Sequence, residues 1–509
     1  MKCISRRTFL SGSAAAIGIS SALPAMVSRP VNAQTGAISL QVTTRTLDIG
    51  GRAATVKGLV DGSGKPGLVL DPGSRFQVEL TNALQEETIV HWHGQIPPNG
   101  MDGVSNTAPM IASGASRSFD FAPRPGTYWM HSHVPAHEID LLAAPLIVRS
   151  AEDAASDRQE VVMFLHDFSF RSGEEILAEF TSGAAMDHGE VQMGSRMEET
   201  PRRIIGSHSA DPMQMPGMAH GGKPTKGMAG MDHGGMAMDL NDYEFDAYLA
   251  NDRTLDDPEV VRVDKGGRVL LRIINASSMT AFWIDLGAVQ GRLVAVDGDP
   301  VEPLIGSRFG LAMAQRLDIE LDMPATGAAV PVLALREGAR ERTGLVLAPA
   351  GATVRRIATL SDATHPAFSN DVAQELALRA LHPLADKGAD RTHMVMLGGS
   401  MSPYIWTLNG QLWGSHTPIA VLQGERVEMM FHNVSMMAHP MHLHGHVFQV
   451  VDINGTRIAG AVRDTVHVPA MGMVTIAFDA GEVAPWMLHC HQMAHMATGM
   501  MTELDVRIA

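Results

Sequence analysis

Cysteine, aromatic residues and positive charge are scarce in this chain of 509 residues. The low counts of cysteine and of positive charge restrict the functions that the chain can have. Only two residues are Cys, aromatic residues make up 5%, and 39 Lys and Arg stand against 55 Asp and Glu, for a net charge of −16. Because no long basic run is present, neither nucleic acid nor an anionic membrane surface is an expected partner. Beyond the N-terminus no uninterrupted apolar stretch of ~20 residues occurs, so we expect a soluble mature protein without a membrane span.

The N-terminus has the features of an export signal. A twin-arginine pattern at 5–10 precedes an apolar, Gly- and Ala-rich stretch, and small residues at 31–33 form a cleavage site of the A-x-A type. This pattern predicts a twin-arginine (Tat) signal peptide over 1–33, export by the Tat machinery and a periplasmic mature protein; an ordinary buried helix is the alternative. After cleavage Cys490 is the only thiol, so no intramolecular disulfide is possible and burial or metal binding is expected.

Short β-like segments fill most of the chain. Residues 75–81 alternate polar and apolar side chains, whereas 161–165 form an all-apolar run typical of a strand buried on both faces. Gly, Pro, Asn and Asp separate such segments and long helical periodicity is scarce, which favours β-sandwiches over βαβ units. Soft boundaries fall near 150–158 and between about 349 and 392, where the helix-like stretch 371–379 is interpreted as a connector.

One segment, 186–238, departs from the β pattern because it is rich in methionine and histidine and poor in β-branched and aromatic residues. Ten of its residues are Met, which is far above the rate in the whole chain. Such a segment cannot build a core, so we interpret it as a mobile insertion whose soft thioethers suit Cu(I). A disordered loop with chance methionines is the alternative. Methionines elsewhere are expected to fill the core, including Met429, Met430, Met436, Met437, Met471 and Met473.

Histidines recur in pairs separated by one residue. Random placement of 23 His gives about one such pair, yet there are five: His91/His93, His131/His133, His442/His444, His444/His446 and His489/His491. On a strand, residues two apart face the same side, so each pair can offer two imidazoles to one site. A single pair is more often a pair of surface histidines, but five together indicate metal binding, and imidazole suits copper, zinc, iron and nickel.

The segment around Cys490 favours copper. If this segment is extended, His489 and His491 face one side and the thiolate faces the other, so two metal sites become covalent neighbours. His439, His495 and Met500 lie where they can complete a site with two imidazoles, one thiolate and a weak axial thioether, which is the blue-copper arrangement. Zinc is the alternative metal, but a single Cys with a Met partner is poor zinc chemistry.

These motifs resemble the four copper motifs of the multicopper oxidases. They read His91-Trp-His-Gly, His131-Ser-His, His439-Pro-Met-His-Leu-His-Gly-His446 and His489-Cys-His-x3-His-x4-Met500. The resemblance covers essentially the whole mature chain and implies an all-β fold of three cupredoxin-like Greek-key β-sandwich domains with the insertion in the middle one. The implied division is a signal peptide 1–33, domain 1 at 34–150, domain 2 at 151–355, a linker 356–390 and domain 3 at 391–509.

The resemblance also implies four copper ions and their ligands. Type 1 copper is assigned to His439, Cys490 and His495, with Met500 axial, and type 2 copper to His91 and His442. The binuclear type 3 pair is assigned to His93, His131, His133, His444, His489 and His491. His446 has no ligand role in this scheme and is expected to be structural.

The implied activity is a one-electron oxidation coupled to the reduction of O2 to water. Electrons would enter at type 1 copper and pass through Cys490 to a trinuclear cluster between domains 1 and 3. Within the family the chain looks most like bacterial copper-tolerance oxidases and laccase-like enzymes. The Met-rich insertion makes Cu(I) the leading donor, and a laccase-like oxidase of phenols or Mn(II) is the alternative. The complete set of ligand positions disfavours both a copper-free structural relative and a nitrite reductase. The oligomeric state stays open.

Reduction of O2 also needs protons, and a carboxyl group is the usual donor. Asp102 matches the acidic residue that the family carries after its first His-x-His, although an Asp-Gly turn is the plainer interpretation. Two further positions that are acidic in some relatives hold Met493 and Met496 here, which leaves Asp464 as a weak candidate for a second donor.

Overall fold

The computed structural model describes residues 36–181 and 240–509. The predicted signal peptide, 1–33, and the predicted insertion, 186–238, lie outside these residues. Contacts group the described residues from Ala37 onwards into one unit. Among the helices of the described residues, none combines the length and apolar character needed to cross a membrane.

The first part of the chain forms two facing sheets. One has the order β2-β1-β4-β6 and the other β3-β8-β7-β5. In β4 every second side chain is buried, and Val78 pairs with Phe119 of β6, so the predicted alternation of 75–81 fills the space between the sheets. The strands are β1 (Ile38–Ile49), β2 (Arg52–Asp61), β3 (Leu68–Leu70), β4 (Phe76–Asn82), β5 (Val90–His93), β6 (Ser116–Phe121), β7 (Gly126–Ser132) and β8 (Ala143–Val148).

The second sheet pair contains the all-apolar run 161–165 within β9. Its sheets have the orders β10-β9-β12-β17-β14-β15 and β11-β19-β18-β13-β16. Because β9 lies between two other strands of its sheet, a run buried on both faces fits its position. The strands are β9 (Gln159–Phe168), β10 (Ala247–Ala250), β11 (Val260–Arg262), β12 (Arg268–Asn275), β13 (Phe282–Asp285), β14 (Gly291–Val296), β15 (Asp299–Gly306), β16 (Arg308–Leu311), β17 (Arg316–Asp322), β18 (Val330–Arg336) and β19 (Arg342–Ala348).

The third sheet pair carries the C-terminal histidine motifs. One sheet has the order β21-β20-β23-β29-β25-β26 with β27 beside β25, and the other has the order β22-β31-β30-β24-β28. The strands are β20 (Arg391–Met401), β21 (Tyr404–Leu408), β22 (Ile419–Leu422), β23 (Arg426–Asn433), β24 (His439–Leu443), β25 (Phe448–Ile453), β26 (Thr456–Arg457), β27 (Val462–Arg463), β28 (Thr465–Val468), β29 (Met473–Asp479), β30 (Pro485–Cys490) and β31 (Met501–Arg507).

The α-helices are short and lie between strands. The predicted connector 371–379 contains a helix, α4, that is shorter than expected, and Ser150 begins α2 with a capping box at the first predicted boundary. The helices are α1 (Pro135–Ile139), α2 (Ala151–Ala155), α3 (Gly173–Thr181), α4 (Ala373–Ala377) and α5 (Met493–Ala497). Of these, α1 and α5 each follow a strand that ends in a histidine motif, so both helices begin close to candidate ligand residues.

Arg316 of β17 connects all three sheet pairs. Its guanidinium forms a bidentate ion pair with Asp464, between β27 and β28, and its Nε donates to the backbone carbonyl of Thr127 in β7. Asp297 lies in the same buried group and pairs with Arg463 at 2.9 Å. Since these charges are fully buried, their mutual pairing is what makes their burial tolerable.

Candidate metal centre

Eight histidines form one buried cluster between the first and third sheet pairs. Strand pairing brings them together, because His91 of β5 lies opposite His131 of β7, and His442 of β24 lies opposite His489 of β30. In each pair of histidines the second ring is two residues further along the chain on the same side. The eight are His91, His93, His131, His133, His442, His444, His489 and His491.

Backbone carbonyls set the orientation of several rings. The Nδ1 atoms of His91 and His442 donate to the carbonyls of Asp102 and Asp464, each at 2.8 Å, and His489 Nδ1 donates to the Cys490 carbonyl at 3.0 Å. An imidazole that donates through Nδ1 presents Nε2 as a lone-pair acceptor. The rings therefore aim their Nε2 atoms into the middle of the cluster.

No hydrogen-bond donor in the described residues faces the inward Nε2 atoms. His444 Nε2 lies 3.0 Å and His133 Nε2 3.4 Å from His489 Nε2. The Nε2 atoms of four more rings are buried without a hydrogen-bond partner: those of His91, His131, His442 and His491. Lone pairs that converge without protons between them are costly unless cations satisfy them, so this donor set fits metal ions.

Burial keeps the rings in the form that binds metal. It lowers the pKa of His131, His133 and His444 well below the usual range, and neighbouring imidazoles add to the effect. Burial also lowers the pKa of His489 to about 4. These four imidazoles are therefore neutral at physiological pH, as metal ligation requires.

His93 is held the other way round. Its Nε2 lies 3.1 Å from Asp464 Oδ1 and 3.1 Å from Thr465 Oγ1, while its Nδ1 is buried without a partner. This ring therefore offers Nδ1 to a metal. Because Asp464 is also paired with Arg316, it is a fixed carboxylate that holds a ring, which argues against the weak candidacy of Asp464 as a proton donor.

The second group of candidate ligands surrounds Cys490. The Nδ1 atoms of His439 and His495 lie 3.1 Å apart, and Cys490 Sγ lies 3.7 Å from each. A point equidistant from the three atoms is about 2 Å from each, close to the length of a metal–nitrogen or metal–thiolate bond. Met500 is fully buried beside them, since its backbone bonds both His495 and Cys490.

Side chains rather than carbonyls support this second site. Ser435 Oγ lies 2.8 Å from His439 Nε2, and Asp242 Oδ2 lies 3.2 Å from His495 Nε2. Gln492 begins α5 and accepts a hydrogen bond from the His495 backbone at 2.9 Å. Burial raises the pKa of the Cys490 thiol, so the bare thiol stays protonated and its thiolate needs a metal.

Asp102 lies between the first histidine motif, which contains His91, and the third, which contains His444. Its Oδ2 lies 2.8 Å from His444 Nδ1, and its Oδ1 is buried without a hydrogen-bond partner, 3.3 Å from His91 Nδ1. Gly103 has φ +83°, and a Cβ there would lie 1.8 Å from the Val90 carbonyl oxygen. The Asp-Gly turn is therefore real, and it is also what carries the carboxylate to the cluster.

Two acidic residues near the histidines were missed by sequence reasoning. Glu138 of α1 lies 2.7 Å from His131 Nδ1, and burial together with the charge of Asp167 raises the pKa of Glu138 well above its usual range. Asp242 contacts His495 from the chain that precedes β10. The only available signal for Glu138 was its position, seven residues after His131 in the turn that follows the second histidine motif. For Asp242 the sequence offers none.

Other expectations can be compared with the structure directly. His446 lies outside the cluster and bonds the His444 carbonyl and the Gly481 amide, a structural role as expected. Met429 is buried, but the expectation of core filling is wrong for three methionines, which are 36%, 65% and 62% exposed: Met430, Met436 and Met471. The ligand assignments themselves, and the domain boundaries, stay predictions.

Comparisons with known proteins agree with this geometry. Sequence models described as multicopper oxidase match residues 41–153, 220–339 and 388–509. Multicopper oxidase MmcO of Mycobacterium tuberculosis is 30% identical over 96% of this chain and 91% of its own length. Copper resistance protein A of Escherichia coli is 26% identical over 99% of both chains.

Among solved structures, that of Fet3p, a multicopper oxidase that functions in iron import, matches with a TM-score of 0.70 at 16% identity. It covers 92% of this chain and 90% of that chain. The three sheet pairs are accordingly cupredoxin-like domains, and the enzyme is an oxidoreductase that uses copper and O2. This chain belongs to the multicopper oxidase family.

Proposed function

We propose that this enzyme is a cuprous oxidase, which oxidises Cu(I) and reduces O2 to water as a copper-tolerance activity in the periplasm. The proposed ligands are those assigned above: a type 1 site at His439, Cys490, His495 and Met500 and a trinuclear cluster at the eight buried histidines. Copper bound there would supply one-electron redox chemistry and a multi-metal site at which O2 takes up four electrons.

The chain itself would connect and serve the two sites. Cys490 Sγ belongs to one site, while the rings of its covalent neighbours His489 and His491 belong to the other. This arrangement gives electrons a short through-bond path. Asp102 would hold and release a proton at Oδ1, the atom that is buried beside His91 without a hydrogen-bond partner.

A cavity lined by thioethers is the observation that carries the choice of Cu(I). Met279 and Met313 of the second sheet pair and Met436 and Met437 of the third line one small cavity. Thioether sulfur is a soft donor that selects Cu(I) over hard cations, so this cavity favours Cu(I) as the electron donor.

The cavity adjoins the segments that carry both type 1 histidines. Pro440, next to His439, and Gln492, which begins the helix of His495, form part of its wall. Leu240, the first described residue after 182–239, lines it as well. A donor that binds there would sit close to the proposed point of electron entry.

The periplasmic location rests on the twin-arginine pattern over 1–33, and the copper-tolerance role is supported by the likeness to copper resistance protein A. The Met-rich insertion 186–238 adds a further set of soft donors in the sequence but lies outside the described residues.

Steady-state O2 consumption with Cu(I) and with a bulky phenol tests the proposal. Met313→Leu and Met437→Leu keep side-chain volume but remove thioethers from the cavity, so we expect KM for Cu(I) to rise several-fold while phenol kinetics stay unchanged. Met163→Leu, in the buried core of β9, is the matched control. A wild-type enzyme that turns over the phenol but not Cu(I) would favour the laccase-like alternative instead.

A further inference from the structure

The outer face of one sheet in the third domain concentrates exposed methionines. Every methionine that is exposed among the described residues lies between 394 and 471: Met394, Met396, Met401, Met430, Met436 and Met471. The opposite face of the same strands is buried, with Val395, Leu397 and Phe431 in the core. The alternation therefore points the thioethers of Met394, Met396 and Met430 away from the core and into solvent, whereas Met436 and Met471 lie between strands.

The strand register aligns these side chains across the sheet. Met394 of β20 is paired with Met430 of β23. In the next row on the same face, Met396 is paired with His432, and His432 with Met473 of β29. Cross-strand neighbours have Cβ atoms about 5 Å apart, so two thioethers flank one imidazole within reach of a single ion.

The imidazole of His432 is available. It is half-buried, and among the described residues its nitrogens have no hydrogen-bond or ion-pair partner. Met394, Met430 and Met473 also line one open groove of about 390 Å³. A solvent-facing sheet surface gains nothing from packing methionine, whereas flexible side chains around a free imidazole are suited to capture a soft cation.

We propose that Met396, His432 and Met473 form a surface site for Cu(I), additional to the four coppers of the catalytic centre, with Met394 and Met430 in the adjoining row as further donors. The donor set, two thioethers and one imidazole, is soft and neutral. It therefore discriminates against Zn²⁺, which prefers thiolate or several imidazoles, and against harder divalent cations, which prefer carboxylate oxygens.

The site continues towards the cavity beside the type 1 ligands. Beyond the row of His432, the exposed Met471 donates its backbone N–H to the Ser435 carbonyl, next to the exposed Met436. Met436 lines the thioether cavity. Thioethers thus follow one another from the open sheet face to that cavity, and the surface site delivers Cu(I) along them; this delivery rests on the proposed cuprous oxidase function.

Silver is the probe for the site itself, because Ag(I) shares the soft preference of Cu(I) and is not oxidised by the enzyme. The full chain, loaded with copper, fully reduced and held under argon, is labelled with ¹³C at the methionine methyl groups. Variants Met396→Leu and Met473→Leu assign two of the resonances. On titration with Ag(I) we expect these two methyl signals to shift together, and the joint shift to weaken at least tenfold in apparent affinity in His432→Thr.

Met401→Leu assigns the control signal, since Met401 is exposed at the end of β20 but outside both rows. The proposal is overturned if the Met396 and Met473 methyls shift no more than that of Met401 while Ag(I) saturates the protein. It is also overturned if their shift is the same with and without the imidazole. Threonine is tolerated on an outer strand face, so the His432 variant keeps its fold.

Delivery is tested separately by kinetics. We expect Met396→Leu with Met473→Leu to raise KM for Cu(I) at least threefold with kcat unchanged, and to leave phenol turnover as it was. An unchanged KM for Cu(I) overturns delivery even where Ag(I) binds. An enzyme that never turns over Cu(I) overturns the proposed function, and in that case the silver titration still decides whether the surface site exists.

Discussion

The two candidate metal sites are assembled at different levels of the structure. His439, Cys490, His495 and Met500 all belong to the third sheet pair or the turn of α5. The eight clustered histidines come instead from the first and third sheet pairs, so they meet only when two domains are docked. The proposed type 1 site therefore draws its ligands from one domain, with Asp242 from the segment before β10 in contact with His495, whereas the cluster depends on an interface and on the buried charges that hold it.

The rings are also held by different groups. In the cluster, backbone carbonyls such as those of Asp102 and Asp464 receive the Nδ1 protons of the rings. At the type 1 site, Ser435 and Asp242 contact the outer nitrogens of the two imidazoles. Carboxylates also hold rings of the cluster, since Glu138 lies beside His131 and the Asp102 side chain beside His444. Single substitutions can therefore alter ring positions at either site, but they leave in place the cluster rings that backbone carbonyls hold.

The largest expected effect comes from Cys490→Ser. Serine cannot provide the thiolate, so we expect the blue absorption to disappear, one of four coppers to be lost and oxidase turnover to fall below detection. The cluster should keep its copper, because the neighbouring histidines are still held by strand pairing. Absorption spectra, paramagnetic resonance and copper analysis measure the three outcomes. A blue Cys490→Ser protein would show that the type 1 assignment is wrong.

Arg316→Leu should have the opposite effect to Cys490→Ser, because it should disturb the histidine cluster and spare the type 1 site. Removing the guanidinium leaves Asp464 buried without its cation, while Asp297 keeps its pair with Arg463, and we expect a cost of about 3–5 kcal/mol in unfolding free energy. Because Asp464 positions His93 and His442, we expect loss of cluster copper with the blue colour retained. Denaturant unfolding and copper analysis check both points.

Arg292→Leu is the matched control for Arg316→Leu. Arg292 lies in the same sheet pair but pairs with Glu320 and Asp322 at the partly exposed edge, with 35% of its side chain accessible. Such an exposed pair contributes about 0–1 kcal/mol. If Arg292→Leu and Arg316→Leu lose cluster copper equally, the interface charges do not hold the cluster.

Periodicity explains which parts could be predicted from the sequence. Alternation located β4 and the all-apolar run located β9, because one face or both faces of a strand must be apolar. The same period of two predicted that the histidines of each His-x-His pair share a site, and the structure gathers the candidate histidines and Cys490 into two buried groups. Local sequence was therefore sufficient to predict strands and shared sites where residues of one chemical type repeat with the period of a strand.

Contacts between distant segments could not be predicted in this way. Asp242 contacts His495 although the two residues are far apart in the sequence, and no sequence pattern near either residue predicts this contact. The exposed Met430 was expected in the core because an apolar residue in a strand normally faces inward. Alternation tells which residues share a face, but only the packing of the domains decides whether that face is covered.

Asp102→Asn should separate proton supply from electron entry. Asparagine keeps an oxygen that accepts from His444 Nδ1, so cluster copper and type 1 colour should remain. It cannot release a proton, and reoxidation of the fully reduced enzyme by O2 should slow by about 10²-fold or more. Stopped-flow reoxidation measures this step. Asp120→Asn, at the exposed end of β6, is the control, and equal rates in both variants would leave Asp102 as a turn residue.

The smallest expected effect is that of Ser435→Ala at the type 1 site. The hydroxyl lies 2.8 Å from His439 Nε2 and also bonds Asn433 Oδ1, so its loss should lower the unfolding free energy by about 1 kcal/mol. The freed imidazole should shift the blue absorption band slightly, while the cluster signals stay unchanged. Thr498→Ala removes a hydroxyl that caps α5 at 2.7 Å without touching either ring, so it should cost similar stability with no spectral shift. A spectral shift in both variants would mean that general loosening of the domain, and not the bond to His439, tunes the site.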